Sequence, residues 1–263
     1  MHEPFVPHSR RLWLYAFAAL VLVFLVAPVF IVIPMSFSGA QFLTFPPESF
    51  SLRWYRNYLE SPEWLAATWI SLKAAVLTTL VATPLGIAAA YGLNASRTRL
   101  ATMAQVALVT PLLIPVIILG VGVFYLYVQI GLVNTLLGLV LAHSILAIPF
   151  VMVTVTAGLR QFDLNQERVA RSLGATRLRA FMTVTLPQLR NSIVAGGLFA
   201  FITSLDEVVI ALFISSGPQS TLTRRMFSGL RDQVDPTIAA VSSLLIVLSV
   251  ALLGTAQLLQ RRR

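Results

Sequence analysis

The chain has 263 residues, of which 57% are apolar and only 11% are charged, and its mean hydropathy is +0.83. Soluble domains carry roughly 45–50% apolar and about 25% charged residues, so the composition excludes a soluble globular domain and a disordered chain. The net charge of +9 does not indicate a nucleic-acid binder, because the arginines lie between apolar blocks and not along one stripe. The composition therefore predicts an integral membrane protein with a single membrane domain, residues 1–263.

Six apolar blocks are each long enough to cross a bilayer, since a helix needs about 20 mainly apolar residues to do so. We therefore expect an all-α integral membrane protein with about six transmembrane helices. The predicted spans are 12–35, 66–92, 101–128, 134–158, 193–214 and 236–259.

Basic residues divide unequally between the two sides of this predicted topology. Thirteen lie in the N-terminal segment, the loops 93–100 and 159–192, and the C-terminal segment, whereas five lie on the other side. Cytoplasmic loops carry the excess of lysine and arginine in membrane proteins. The sequence therefore predicts that both termini lie in the cytoplasm, which agrees with an even number of spans.

The sequence lacks motifs for nucleotide binding, metal binding and catalysis. It contains no G-x-x-x-x-G-K-[ST] sequence, and its only lysine, Lys73, lies inside the second predicted span, so we expect no phosphate-binding P-loop. It has no cysteine, and its three histidines are too scattered for a metal cluster. We expect His143, inside the fourth span, to be a hydrogen-bonded structural residue. With no catalytic constellation in the sequence, we expect neither an enzyme nor a cofactor.

The loop 159–192 is longer than most connections, which have fewer than about 12–15 residues unless they are functional. Asp163 is suited to cap a short helix with Gln166 at the capping-box position, and Gly174 suits the left-handed position that ends a helix. Leu164, Val169, Ala170 and Leu173 are available to pack, and we expect Arg168 and Arg171 to face a partner or lipid. Because so short a helix is marginal alone in water, two interpretations are open: it docks on another protein, or it is a basic interfacial helix held by anionic lipid.

A longer pattern runs through this loop, in which Ala170 and Gly174 are followed by Val-Thr-Leu-Pro at 184–187. The pattern resembles the motif shared by permease subunits of binding-protein-dependent ABC importers, E-A-A-x-x-x-G followed nine residues later by I-x-L-P. Ala170 takes the place of the second alanine. Arg168 stands where the family has glutamate and Val169 where it has the first alanine.

The resemblance implies the type I ABC importer permease fold, in which the short helix is a coupling helix that seats in a groove on a cytoplasmic ATPase subunit. It implies as partners two copies of that ATPase, a homologous second permease subunit, and a periplasmic solute-binding protein on the outer loops near 36–65 and 215–235. The surroundings would be the lipid of a bacterial inner membrane, with no nucleic acid. The coupling residues that it implies are Glu167, Arg168, Val169, Ala170, Gly174, Leu186 and Pro187.

Asp206 and Glu207 place two carboxylates inside the fifth predicted span. A charged residue at mid-membrane costs about 2.5–3.5 kcal/mol, and such residues usually face a cavity or a partner. Lys73 lies at a similar predicted depth, about 11–12 Å from the outer ends of the helices. Two interpretations are open: Lys73 neutralises one carboxylate as a buried pair, or at least one carboxylate lines a pathway for a cationic solute. Protonation of a carboxylate is a third.

Seven short stretches carry a narrower resemblance. They lie at 204–213, 216–218, 222–226, 235–242, 55–58, 71–73 and 138–143. Together they resemble spermidine/putrescine-type ABC permeases, specifically the second of the two permease subunits, over about residues 50–255. The resemblance implies import of a polyamine or a related small solute from periplasm to cytoplasm by alternating access, with Asp206, Glu207 and Lys73 as candidate pathway residues.

Two other functions compete with this one. A stand-alone secondary transporter would use Asp206 or Glu207 as a proton relay, would import solute without an ATPase, and would lose uptake with an uncoupler. A structural or assembly protein of the membrane would hold the two carboxylates only as a salt bridge, so their replacement by amides would leave transport unchanged.

Overall fold

A computed structural model describes residues 12–96, 98–163, 165–232 and 234–261, with side chains up to residue 255. Leu164 and five of the thirteen basic residues counted above lie outside the described residues; the five are Arg10, Arg11, Arg97, Arg262 and Arg263. The helices are α1 (Leu12–Ser36), α2 (Arg53–Glu60), α3 (Pro62–Asn94), α4 (Arg99–Val109), α5 (Val116–Ile130), α6 (Leu136–Gln161), α7 (Asn165–Ser172), α8 (Arg177–Ala180), α9 (Leu186–Gln188), α10 (Arg190–Asp206), α11 (Val209–Ile214), α12 (Leu222–Asp232) and α13 (Thr237–Arg261).

Four helices within the described ranges are long and apolar enough to cross a membrane, namely α1, α3, α6 and α13. They coincide with four of the predicted spans, because a continuous apolar block forms one continuous helix in a membrane. The longest, α3, has 33 residues, which corresponds to about 50 Å. It is therefore longer than a hydrocarbon core of about 30 Å.

The other two predicted spans are each interrupted in the structure. In 101–128, α4 runs into a 3₁₀ turn at Thr110–Leu112, and the chain bends by 102° before α5 begins. Pro111 and Pro115 explain the bend, because proline has no N–H to donate and its ring clashes with the preceding turn. The block 193–214 is divided into α10 and α11. With the bent pair counted as one span, the described residues give five candidates, and the number of six crossings stays a prediction.

The described residues form two compact units. The first contains 12–61 and 229–248, and the second contains 62–228 and 249–261. The single membrane domain that the sequence indicates stays a prediction.

In the first unit, side-chain hydrogen bonds hold α2 in place. The hydroxyls of Ser36 and Tyr55 lie 2.7 Å apart, and the amide of Asn57 donates to Oγ1 of Thr237 at 2.8 Å. These bonds connect α2 to the end of α1 and to the start of α13.

The second unit is built around α3, α6 and α10, which meet at small residues. A Cβ added to Gly86 of α3 would lie 2.6 Å from Cβ of Val151 in α6, and one added to Gly196 of α10 would lie 3.2 Å from Cα of Val151. Small residues let helix backbones approach closely inside a membrane. The three tightly packed helices form the frame that holds both candidate sites described below.

Candidate functional site

The helix predicted in the long loop is α7, and both of its predicted ends are confirmed. Oδ1 of Asp163 accepts the backbone N–H of Asn165 at 2.9 Å, which caps the first turn. Gly174 has a φ of +94°, a left-handed conformation that glycine adopts without strain. Just beyond it, the N–H of Ala175 donates to the carbonyl of Ala170 at 3.1 Å, which closes the last turn.

Glu167 ties α7 to the helices around it. Its side chain is buried, with only 7% of the residue exposed. Oε1 accepts a hydrogen bond of 2.6 Å from the hydroxyl of Tyr91 in the last turn of α3, and Oε2 accepts one of 2.8 Å from Oγ1 of Thr185. Thr185 ends the π-helical segment Phe181–Thr185 that leads toward α10. Because both carboxylate oxygens are hydrogen-bonded, the burial of Glu167 is tolerated.

The side of α7 opposite Glu167 presents apolar side chains that are exposed on the protein surface. Val169 is 59% exposed and Leu173 is 84% exposed. In a helix of 3.6 residues per turn, positions two and six after Glu167 lie across the helix from it. Ala170 is half-buried, and Arg168 is exposed. Thus α7 has one face bound to its own chain and one apolar face that the described residues leave uncovered.

The second half of the sequence motif lies beside the first. Leu186 and Pro187 open α9, and Nε2 of Gln188 in the same helix donates to Oε1 of Gln166 in α7 at 2.6 Å. The side chain of Gln166 is used in this bond, in place of the capping-box bond that its position suggested. The pair joins α7 to α9 in addition to the bond between Glu167 and Thr185.

A second candidate site lies where the fifth predicted span is interrupted, and Glu207 is at its centre. Glu207 is buried, and its Oε1 and Oε2 accept the backbone N–H groups of Ile210 at 2.8 Å and Ala211 at 3.0 Å. The first N–H groups of any helix have no partner inside that helix. Glu207 therefore caps α11 and stabilises the break after α10.

Buried polar groups continue from Glu207 into α6 and α3. Nε2 of His143 lies 3.7 Å from Oε2 of Glu207, and its Nδ1 lies 2.8 Å from Oγ of Ser204. The hydroxyl of Ser204 donates to Oγ1 of Thr78 at 3.4 Å. The prediction of a hydrogen-bonded structural histidine is confirmed for His143, which together with Ser204 connects three helices at this break.

Asp206 and Lys73 have surroundings different from those of Glu207. Asp206 is exposed although its neighbour is buried. Lys73 is also exposed, and its Nζ lies 5.9 Å from the ring centre of Trp69, one turn away in α3. Among the residues with described side chains, no ion pair joins Lys73 to either carboxylate. The structure therefore does not form the buried pair that was one of the open interpretations.

Several positioning residues were not identified from the sequence. Tyr91 lies 76 residues from Glu167 along the chain, and nothing in the local pattern of α3 marks it as a partner. Thr223 donates to the backbone carbonyl of Glu207 at 2.7 Å from a different helix, α12. Thr185 occupies the variable position of the I-x-L-P pattern, so the motif did not mark it either.

Comparison with known proteins gives consistent matches. Residues 82–263 match the family described as "Binding-protein-dependent transport system inner membrane component". The chain is 32% identical over 248 residues to the putrescine transport system permease protein PotI of Escherichia coli K12, covering 92% of this chain and 88% of PotI. It is 29% identical over 255 residues to the spermidine/putrescine transport system permease protein PotC of Haemophilus influenzae, covering 97% of this chain and 98% of PotC. Its fold matches a chain of a bacterial ABC transporter involved in the import of the acidic polysaccharide alginate. The TM-score is 0.77 at 14% identity, and the match covers 97% of this chain and 99% of that chain.

The apolar helices of membrane-spanning length and the polar loop with its anchored helix form the type I ABC importer permease fold. The chain belongs to the family of inner membrane components of binding-protein-dependent transport systems. It is a multi-pass permease subunit of an ABC importer, as the resemblance in the sequence implied. The matches do not favour a stand-alone secondary transporter.

The capping role of Glu207 can be tested by its effect on stability. Glu207→Ala is expected to destabilise the protein by about 1–2 kcal/mol, because two N–H groups in the first turn of α11 lose their acceptor. Asp206→Ala is the matched control, since it removes an exposed neighbouring carboxylate, and it is expected to leave stability unchanged. Unfolding in detergent measures both variants. An unfolding midpoint for Glu207→Ala equal to that of the wild type contradicts the capping role.

Proposed function

We propose that this chain is one of two permease subunits of an importer whose ATP is hydrolysed on two separate cytoplasmic ATPase subunits. The observation that carries the proposal is the two-sided character of α7. Glu167 is buried against its own chain, while the apolar side chains of Val169 and Leu173 are exposed on the protein surface. Exposed apolar side chains on a loop between membrane helices are typical of a surface that another protein covers.

In this proposal both termini lie in the cytoplasm. The thirteen basic residues on one side against five on the other support this orientation. The loop 159–192 then faces the ATPase subunits, and the loops near 36–65 and 215–235 face the periplasm, where the solute-binding protein docks. The six spans of the sequence analysis form one membrane domain paired with the homologous permease subunit.

The coupling step follows from how α7 is held. Closure of the ATPase dimer around ATP moves the groove in which α7 sits. Because Glu167 is hydrogen-bonded to Tyr91 and Thr185, movement of α7 is passed to the end of α3 and to the segment before α10. Leu186 and Pro187 lie in that segment, and Gly174 fixes the other end of the helix. The spans then change between outward-open and inward-open arrangements as rigid bodies.

We further propose that the solute is a polyamine or a related small cation. The names of PotI and PotC, which are similar over most of the chain, support putrescine and spermidine as the substrate class. Of the two acids, Asp206 is the one available to a cation, because Glu207 is occupied with the N–H groups of α11. Lys73 leaves the charge of Asp206 free, since it lies against Trp69.

The docking surface can be tested by removing its apolar character. Val169→Ser with Leu173→Ser is expected to lower co-purification of the ATPase subunit at least about tenfold, because two apolar side chains no longer gain from burial. The matched control is Leu100→Ser with Met103→Ser, an apolar pair on α4 that is 75% and 68% exposed. This control is expected to retain the ATPase. Equal recovery of the ATPase with both double variants would remove α7 from the interface.

The role of Asp206 can be tested with labelled putrescine. Asp206→Asn is expected to lower uptake by the reconstituted importer at least about tenfold, because a charged hydrogen bond to the cation contributes about 1.5–3 kcal/mol. Assembly with the partner subunits is expected to be unchanged. Asp206→Glu is the matched control, since it keeps the negative charge at the same position, and it is expected to transport putrescine faster than Asp206→Asn. If Asp206→Asn transports putrescine as fast as the wild type, Asp206 does not lie on the pathway.

A further inference from the structure

A cavity of about 370 Å³ lies between the end of α3 and α7, away from the break between α10 and α11. It opens beside the inner face of α7, whereas Val169 and Leu173 lie on the outer face. Most of its lining is polar or charged. The lining residues include Tyr91, Asn94, Glu167, Arg168, Arg171 and Arg177.

The charges around this cavity do not balance. Three arginines line it, and the only acidic residue in its lining is Glu167. Both oxygens of Glu167 already accept hydrogen bonds from Tyr91 and Thr185. Among the residues with described side chains, no ion pair includes any of the three arginines. Because arginine stays protonated in proteins, the cavity keeps an excess of two positive charges.

The arginines are placed to act together. The guanidinium of Arg177 lies 5.7 Å from the ring centre of Tyr91, a cation–π contact that orients it. Nη1 of Arg168 donates to the neutral Oδ1 of Asn165 at 3.3 Å, which leaves its charge uncompensated. Arg171 follows Arg168 by three positions in α7, so the two side chains are neighbours on the helix surface. The planar fork of arginine matches the oxygens of phosphate in bidentate geometry.

We propose that this cavity binds a phosphate group, which bridges α7 to the end of α3 beside the bond between Glu167 and Tyr91. A free phosphate with a charge of about −1.5 to −2 offsets most of the excess positive charge, and the singly charged phosphodiester of a phospholipid offsets about half of it. Two sources carry this chemistry, the headgroup of an anionic phospholipid and free phosphate. The headgroup is within reach because α3 is longer than the hydrocarbon core, which places its last turn at the membrane surface. The bound group relieves repulsion among the three arginines and stiffens the joint that transmits movement from α7.

The proposal is independent of the solute and of the apolar docking face, and its test measures binding directly. The complete importer is purified in detergent without phosphate, and two probes are applied separately. Inorganic phosphate is titrated by calorimetry, and phosphatidylglycerol retained by the complex is counted by native mass spectrometry against phosphatidylcholine. Two triple variants, each lacking three exposed arginine charges, are compared. They are Arg168→Gln/Arg171→Gln/Arg177→Gln inside the cavity and Arg99→Gln/Arg179→Gln/Arg190→Gln outside it.

The wild type is expected to bind at least one of the two probes, and the probe that binds identifies the source of the phosphate. The cavity variant is expected to bind that probe at least about tenfold more weakly, whereas the outside variant stays within about twofold of the wild type. Two results overturn the proposal: neither probe binds the wild type, or both variants lose binding equally. If the cavity variant loses only the ATPase subunit while the wild type binds no phosphate, the arginines belong to the protein interface and the proposal is wrong.

Discussion

One buried carboxylate, that of Glu167, joins the polar loop to the membrane helices. A helix of eight residues does not hold its shape alone in water, and α7 has little apolar surface of its own facing the chain. The two hydroxyl donors on Glu167 come from different elements, α3 and the segment before α10. They fix both the position of α7 and its rotation about its axis. With α7 held in this way, Val169 and Leu173 point away from the helices that Glu167 contacts. In the proposed coupling step, the bonds of Glu167 pass movement of the surface that meets the ATPase to α3 and to the segment before α10.

The chain uses its acids and bases in two different ways. Glu167 and Glu207 are buried, and each is satisfied by donors from its own chain, as burial of a charge requires. One holds a helix in a loop, and the other stabilises a break inside a predicted span. Asp206 and the arginines that line the cavity are exposed and form no ion pair among the residues with described side chains. Charged side chains that have no ion-pair partner in the fold are available to bind ligands. Both the solute site and the phosphate site proposed here consist of such side chains.

Features set by neighbouring residues could be predicted from the sequence, and features set by distant contacts could not. The long apolar blocks predicted α1, α3, α6 and α13, and the caps at Asp163 and Gly174 follow from rules that span only a few residues. Pro111 and Pro115 are visible in the sequence of the third predicted span, but the size of the bend depends on packing against other helices. The bond from Tyr91 to Glu167 joins positions far apart in the chain, and no local pattern encodes it. The sequence left open whether Lys73 pairs with a carboxylate for the same reason. Equal depth in the membrane does not determine which faces of two helices meet.

The measurement that tests this account most directly is solute import per ATP hydrolysed by the reconstituted importer carrying Glu167→Ala. The substitution removes both bonds that anchor α7 and leaves Val169 and Leu173 in place. The account predicts that the ATPase subunits stay bound and hydrolyse ATP, while import per ATP falls at least about tenfold, since two hydrogen bonds to a charged group contribute about 1.5–3 kcal/mol each. Import per ATP equal to that of the wild type would contradict the claim that Glu167 transmits the movement.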